Sequence, residues 1–441
     1  MSSDNSLEST ISACWEVLVL NPASAEAHFN LGNAYLKKGD WVASVVAFRA
    51  AAAIDPSKAS FVGNLGLALH KSGNTAAARD AYSKALRIDP ATPNVYNNLG
   101  HLLRETGDVD GAISAFRQAI QLHPGYGNAH MNLALTMLRE GNLAEGLKEY
   151  EWRWESAGFE KRKWNIPIWR GESLAGKRLI IQCEQGLGDT IQFIRFFSNI
   201  ADRADVLVDV PSPLISLMRS TLGVDAILQN EALAAGFDFQ VGLLSLPLIL
   251  GIDVPGIPGT TPYLKVPQKQ VAQWSGYLEP RRELRVGLVW SGGEQFVENA
   301  RRSIPLEEFQ AIINIHGVKF YSLQLGSAQS QLARIGWADQ VHDLSPRLKD
   351  FSDTAAILQK LDLLISVDTS VAHLAGALAC PVWLLIGCHA DWRWFLHRTD
   401  SPWYPTMRLF RQSQFGVWAD VMCELVEALS RLKSDQIVGG E

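Results

Sequence analysis

Along the first third of the chain, apolar and polar positions recur with a step of 34 residues. Pro22, Pro56, Pro90 and Pro124 keep that step, and so do Gly32, Gly66 and Gly100. The triplets Asn30-Leu31-Gly32, Asn64-Leu65-Gly66, Asn98-Leu99-Gly100 and Asn132-Leu133-Ala134 stand in phase, each followed by an aromatic residue at Phe48, Tyr82, Phe116 or Tyr150. Spacing within a unit is helical, so the pattern predicts four pairs of amphipathic helices. Ala51, Ala85 and Ala119 allow close packing, a Gly-Asp or Gly-Asn pair turns the chain, and proline ends the unit.

After Tyr150 the helical period dissolves into Trp152-Arg153-Trp154, Trp164, Pro167 and Trp169. From Lys177 onward, short apolar runs bounded by Gly and Pro alternate with amphipathic stretches, the signature of an α/β region. Strands are expected at 179–183 and 206–210 around a helix at 190–199. A second set follows, with strands at 286–290, 320–325, 361–367 and 382–386 and helices at 306–315, 354–360 and 371–379. Two sheet domains are implied, divided near 267–282. The expected boundaries are 1–157 for a helical-repeat solenoid, 158–275 for the first sheet domain and 276–441 for the second.

The repeat period and its residues resemble the tetratricopeptide repeat across roughly residues 6–157. Such helix pairs bury their apolar faces only by stacking, which leaves a groove lined by the first helix of each pair and suited to a peptide or protein partner. Asn30, Asn64, Asn98 and Asn132 would form a ladder along it, each amide able to donate to and accept from an extended backbone. Equally, these asparagines would serve to support the interhelical turn.

Composition removes several classes of function. A chain of 441 residues exceeds what one core usually serves, and 40 Lys plus Arg against 46 Asp plus Glu gives a net charge of −6, so no overall basic field invites nucleic acid. The apolar stretches 241–250 and 374–386 fall short of the ~20 residues a membrane helix needs, and Pro247 and Pro381 interrupt them. Asp4 and Glu8 stand where a signal peptide would carry a basic start and an apolar run, so the expected location is the cytoplasm. The five cysteines are scattered without a Cys-x-x-Cys pair, which fits reduced, buried thiols and no metal site.

Three loops resemble phosphate cradles. In the first, Gly171 to Gly176-Lys177-Arg178, arginine replaces the magnesium-binding Ser/Thr and a strand follows where a helix should, so it reads as a turn. In the second, Gly186-Leu187-Gly188, Ile191 takes the third glycine's place and Asp189 would meet a pyrophosphate with negative charge, which speaks against a dehydrogenase. An acceptor hydroxyl suits that acidic loop: its glycines would let backbone and substrate come close, and Asp189 would be the general base, with Glu184 in reserve. The competing role for Asp189 is a helix N-cap. In the third loop, Ser291-Gly292-Gly293 precedes Arg301-Arg302, whose charge suits a phosphate. Farther on, Asp368, Thr369 and Ser370 lead into a helix whose free N–H groups favour an anion, and His373 shares their face. Core or capping roles are open to Asp368 and His373.

The runs Gln185-Gly-Leu-Gly-Asp189-Thr190, Arg302-Ser-Ile-Pro305, Ser366-Val-Asp368-Thr369-Ser-Val-Ala-His373 and Asp391-Trp-Arg-Trp394 resemble the heptosyltransferase-like GT-B glycosyltransferases. The whole chain, over 6–433, is similar to bacterial proteins that join tetratricopeptide repeats to such a domain. The resemblance implies an α-solenoid followed by a GT-B fold of two Rossmann-like domains, an acceptor in the first, a nucleotide-diphosphate sugar as co-substrate in the second, inversion at the anomeric carbon, and no metal or other cofactor. Asp189 then matches the family's base, and Asp368, Thr369, Ser370 and His373 its donor loop, while Arg302 replaces a phosphate-contacting lysine and leaves heptose as donor in doubt. Trp152, Trp154, Trp392 and Trp394 would stack on sugar or base rings or cement interfaces. By analogy with repeat-bearing protein glycosyltransferases, the expected acceptor is a protein Ser or Thr held by the repeats. The alternative is a protein-binding scaffold with an inactive transferase-like domain.

Overall fold

A computed structural model describes residues 2–438 except 157, 160, 229–235, 279–282, 294–298, 338 and 389. The last four residues of the 267–282 divide, 279–282, therefore lie outside the described residues. Its contacts divide the chain into two units, Met1–Met137 with Lys148–Gly158, and Leu138–Leu147 with Phe159–Glu441.

The repeat region begins with helix α1 (Ser2–Leu20), ahead of the first repeat. The pairs α2 (Ala25–Lys38) and α3 (Trp41–Ile54), α4 (Ala59–Lys71) and α5 (Thr75–Ile88), α6 (Pro93–Glu105) and α7 (Val109–Leu122), and α8 (Gly127–Arg139) and α9 (Leu143–Tyr150) follow. The 34-residue step has a steric origin. A Cβ placed on Gly32, Gly66 or Gly100 would lie 2.6–2.7 Å from the ring of Phe48, Tyr82 or Phe116, all fully buried, so only glycine lets the two helices of a pair meet there. Gly39, Gly73, Gly107 and Gly141 adopt φ between 82° and 85° at the interhelical turns. The residue after each then holds the next helix start: Asp40, Asn74, Asp108 and Asn142 accept from the N–H groups of Ala43, Ala77, Gly111 and Glu145 at 3.0–3.2 Å.

Among the described residues of the second unit, the named strands pair in parallel to form two sheets. β1 (Arg178–Gln182), β2 (Asp205–Asp209) and β3 (Phe239–Gly242) form one, in the order β2-β1-β3. β4 (Leu284–Val289), β5 (Val318–Ser322), β6 (Val341–Asp343), β7 (Leu363–Val367), β8 (Val382–Ile386) and β9 (Met407–Arg411) form the other, in the order β6-β5-β4-β7-β8-β9. Counted within that sheet the order is 3-2-1-4-5-6, the doubly wound arrangement. Its central strands are covered on both faces, which is why β7 reads as an apolar run broken only by Ser366, Leu363, Leu364, Ile365, Ser366 and Val367, with every residue buried. Val286, Leu288, Leu363, Ile365 and Leu385 anchor the core of this sheet together with Phe309, Trp290 and Leu425.

Candidate functional site

In open parallel sheets, ligand crevices lie beyond the carboxyl ends of the strands where the order reverses. For the larger sheet this point falls between β4 and β7, so the loops that begin at Ser291 and at Asp368 flank it. For the smaller sheet it falls at the end of β1, where Glu184 and Gly186 lead into the helix Leu187–Phe193.

Asp189 occupies the third position of that helix and not the N-cap itself, a correction of place only, because its carboxylate still serves the helix start through a capping box. Gly186 is the cap, and its N–H donates to Asp189 Oδ2 at 2.8 Å. The other carboxylate oxygen pairs with the Arg393 guanidinium, which also donates to Asp391 at 2.8 Å. Burial pushes the Asp189 carboxyl above the ordinary aspartate range, and Arg393 pulls it back only in part. Glu184 is buried and accepts from the Leu244 N–H at 3.3 Å.

Gly188 requires a second correction. The expectation is that this glycine leaves room for substrate, yet a Cβ there would lie 2.8 Å from the His373 ring and 3.6 Å from Ser370 Cα. The missing side chain therefore lets the helices Leu187–Phe193 and Ser370–Ala377 touch, bringing the first loop directly against the last.

Thr369 caps the helix Ser370–Ala377: its Oγ1 accepts from the Ala372 N–H at 3.4 Å and lies 3.1 Å from Ser366 Oγ. His373 is buried, with Nδ1 2.9 Å from the Tyr404 hydroxyl, Nε2 3.8 Å from Asp368 Oδ1, and its ring stacked on Trp394 at 5.2 Å. Burial first, then the charge of Arg393, holds its pKa down to about 3. The imidazole is accordingly neutral near pH 7, and what it offers an anion is a hydrogen bond, not the positive charge a leaving group would need. Asp368 is pushed up to about 6 by burial and by Asp391, against the opposing charge of Arg302. Arg302 thus belongs to the same electrostatic group. It also stands over Gly292, where an added Cβ would lie 2.9 Å from its Nε, and Ser291 Oγ lies 3.0 Å from Ser303 Oγ beside it.

The repeat asparagines do not act alike. Asn132 donates to Asn97, not Asn98, at 3.0 Å, while Asn30, Asn64 and Asn98 show no side-chain hydrogen bond among the described residues. The turns are held instead by Asp40, Asn74, Asp108 and Asn142, so supporting the turn is not what the ladder residues do. Trp154, Trp392 and Trp394 are buried packing elements.

Residues with a place in this arrangement that sequence reasoning left unassigned are Arg393, Asp391, Tyr404 and Arg195. Arg195 donates to the Trp403 carbonyl at 2.7 Å and to the Tyr263 hydroxyl at 3.0 Å. The Asp391-Trp-Arg-Trp394 run was the available signal for the first two; nothing local marks the others.

Comparison with known proteins agrees with the repeat reading. Models of the TPR repeat match residues 32–73 and 66–103, and one described as tetratricopeptide repeat matches 97–157. The chain thus carries tetratricopeptide repeats, which suggest a protein-binding scaffold with a peptide or protein partner. Over 325 residues, 67% of the chain, the sequence is 28% identical to Protein FlbA of Caulobacter vibrioides, and the chain spans about half, 54%, of that relative's length. Among solved structures, the crystal structure of MamA is 24% identical, with 34% of this chain and 88% of that one covered at a TM-score of 0.32. The crystal structure of YrrB, a TPR protein with an unusual peptide-binding site, is 23% identical over 35% of this chain and 79% of that one, at a TM-score of 0.29. No helix among the described residues is long and apolar enough to cross a membrane.

Proposed function

We propose that the second unit is an inverting, metal-independent glycosyltransferase of the GT-B type and that the repeats present its acceptor, a protein Ser or Thr side chain. The supporting observation is the convergence of loops from the ends of two sheets: the helix carrying Asp189 meets the helix of Ser370 and His373 at Gly188. In this reading Asp189 takes the proton of the acceptor hydroxyl as its oxygen bonds to the sugar's anomeric carbon. The bond from that carbon to the diphosphate oxygen breaks on the opposite face. Arg302 and the N–H groups at Thr369–Ser370 stabilise the departing nucleotide diphosphate, where charge accumulates. Arg393 acts as a positioning residue, fixing the Asp189 carboxylate, and Asp189's raised pKa favours proton acceptance.

The experiment is transfer to a peptide acceptor followed by mass spectrometry, with calorimetry against uridine, guanosine, adenosine and cytidine diphosphates. Wild type should bind one nucleotide and modify the acceptor. Asp189→Asn should lower transfer by about 10²–10⁴-fold with nucleotide affinity retained, and unchanged turnover would remove Asp189 from the chemistry. A second reading, a repeat scaffold with an inactive transferase-like unit, is favoured by the engagement of both Asp189 oxygens with Arg393 and Gly186. It predicts no affinity for any of the four nucleotides.

A further inference from the structure

The repeat unit holds a polar cluster unrelated to the asparagine ladder. His70 lies in the last turn of α4, and His101 and Glu105 lie one turn apart on α6 in the following repeat. Glu105 stands between the two rings, with Oε2 2.6 Å from His70 Nε2 and Oε1 3.3 Å from His101 Nδ1. The rings approach edge to face at 5.7 Å. Their three ligand-capable groups all lie within 4.8 Å of one another.

An ordinary ion pair accounts for only part of this. His101 Nδ1 is a buried atom whose approach to Glu105 lies outside hydrogen-bond geometry, so it has no hydrogen-bond partner among the described residues. Buried ring nitrogens left in that condition are costly and uncommon. Two imidazoles and one carboxylate are also a known donor set for zinc, which leaves a fourth position for water or another ligand. Donor atoms about 2.0–2.2 Å from a tetrahedral ion stand about 3.3 Å apart, close to the 3.3 Å between Glu105 and His101 and wider than the 2.6 Å between Glu105 and His70. His101 and Glu105 are 35% and 36% exposed at the side chain, which supplies the route in, while His70, at 8%, supplies a fixed wall.

We infer that His70, His101 and Glu105 bind a single divalent transition-metal ion of the zinc class and that the ion ties the second repeat to the third. The site is independent of the proposed transferase chemistry and requires no nucleotide.

The test uses the full chain, freed of metal by a chelator and titrated with zinc chloride, with calorimetry and thermal unfolding as readouts. One ion per chain should bind and raise the melting temperature. His101→Gln and Glu105→Gln should each weaken binding by about 10–100-fold, at least the loss seen when outer-sphere partners of a metal are removed. His130→Gln should bind as wild type. His130 also pairs with a glutamate, Glu149, but both of its ring nitrogens already have partners. Absence of zinc binding by the wild-type chain, or binding that survives His101→Gln and Glu105→Gln, would overturn the assignment. Cobalt loading of the wild-type chain gives an answer that does not depend on the variants folding. Absorption without a thiolate charge-transfer band supports the site, whereas such a band would put the ion on a cysteine and overturn it.

Discussion

Glu105 in the repeats and the pair Asp189 and Asp368 in the α/β unit respond in opposite ways to their surroundings. Glu105 in the repeats keeps access to water, and His101 and His70 beside it hold its carboxyl well below the usual glutamate range. Asp189 and Asp368 in the α/β unit have guanidinium neighbours, yet burial wins and both are shifted upward. Neighbouring donors decide where solvent remains, and desolvation decides where it is removed. The first arrangement suits a ligand arriving from water, the second a proton held and released inside the protein.

The hardest test of this contrast removes the guanidinium on which two carboxylates depend. Arg393→Met leaves Asp189 and Asp391 without their shared partner while filling a similar volume beside Phe193 and Trp392. Breaking a buried pair in this way costs about 3–5 kcal/mol, to be read from urea unfolding of the full chain monitored in the α/β unit. A loss below about 1 kcal/mol, the range of exposed pairs, would mean that water reaches Asp189 and that the contrast with Glu105 fails.

The repeats should break by packing instead. Gly66→Val would drive a side chain into the buried ring of Tyr82, whose atoms lie 2.7 Å from the position of the first added carbon. Overpacking of this kind costs about 1–3 kcal/mol, measured as a shift of the helical transition in circular dichroism. An unchanged transition would show that the glycine step reflects something other than helix contact.

The same two examples explain what the sequence discloses. Gly66 meets Tyr82 sixteen positions away, and the geometry recurs at Gly32 and Gly100, so period and residue type announce helix pairs, turns and caps together. β1, β2, β4, β5, β7 and β8 were legible as apolar runs between Gly and Pro. β3, β6 and β9 were not, because Phe239–Gly242 and Val341–Asp343 are short and Met407–Arg411 alternates charge with apolar residues. The loops at Gly186, Ser291 and Asp368 could be placed at strand ends, since local order determines where a strand stops. Their partners could not: Arg393 reaches Asp189 across 204 positions, and nothing near Asp189 encodes that approach. Gly188 misled for the same reason, since a glycine that admits a substrate and one that admits a neighbouring ring look identical in one dimension.

The finest test concerns pH. His373 is held at about 3 when folded against an ordinary value of 6.5, so between these limits the unfolded chain binds a proton that the folded chain refuses, and acidification lowers stability. Asp368 is held at about 6 against 3.8, so between those limits the folded chain binds the extra proton, and acidification raises stability. The two contributions oppose each other from about pH 6 down to about 4. Replacing His373 by Gln removes the first and leaves the second, because a neutral imidazole contributes little to the charge felt by Asp368. The variant should be less stable than wild type at pH 7 through lost packing against Trp394 and Tyr404, and the difference in melting temperature should shrink as pH falls from 6.5 to 4. A difference that stays constant across that window would mean that the imidazole titrates normally in the folded protein, with water at the point where the two loops meet.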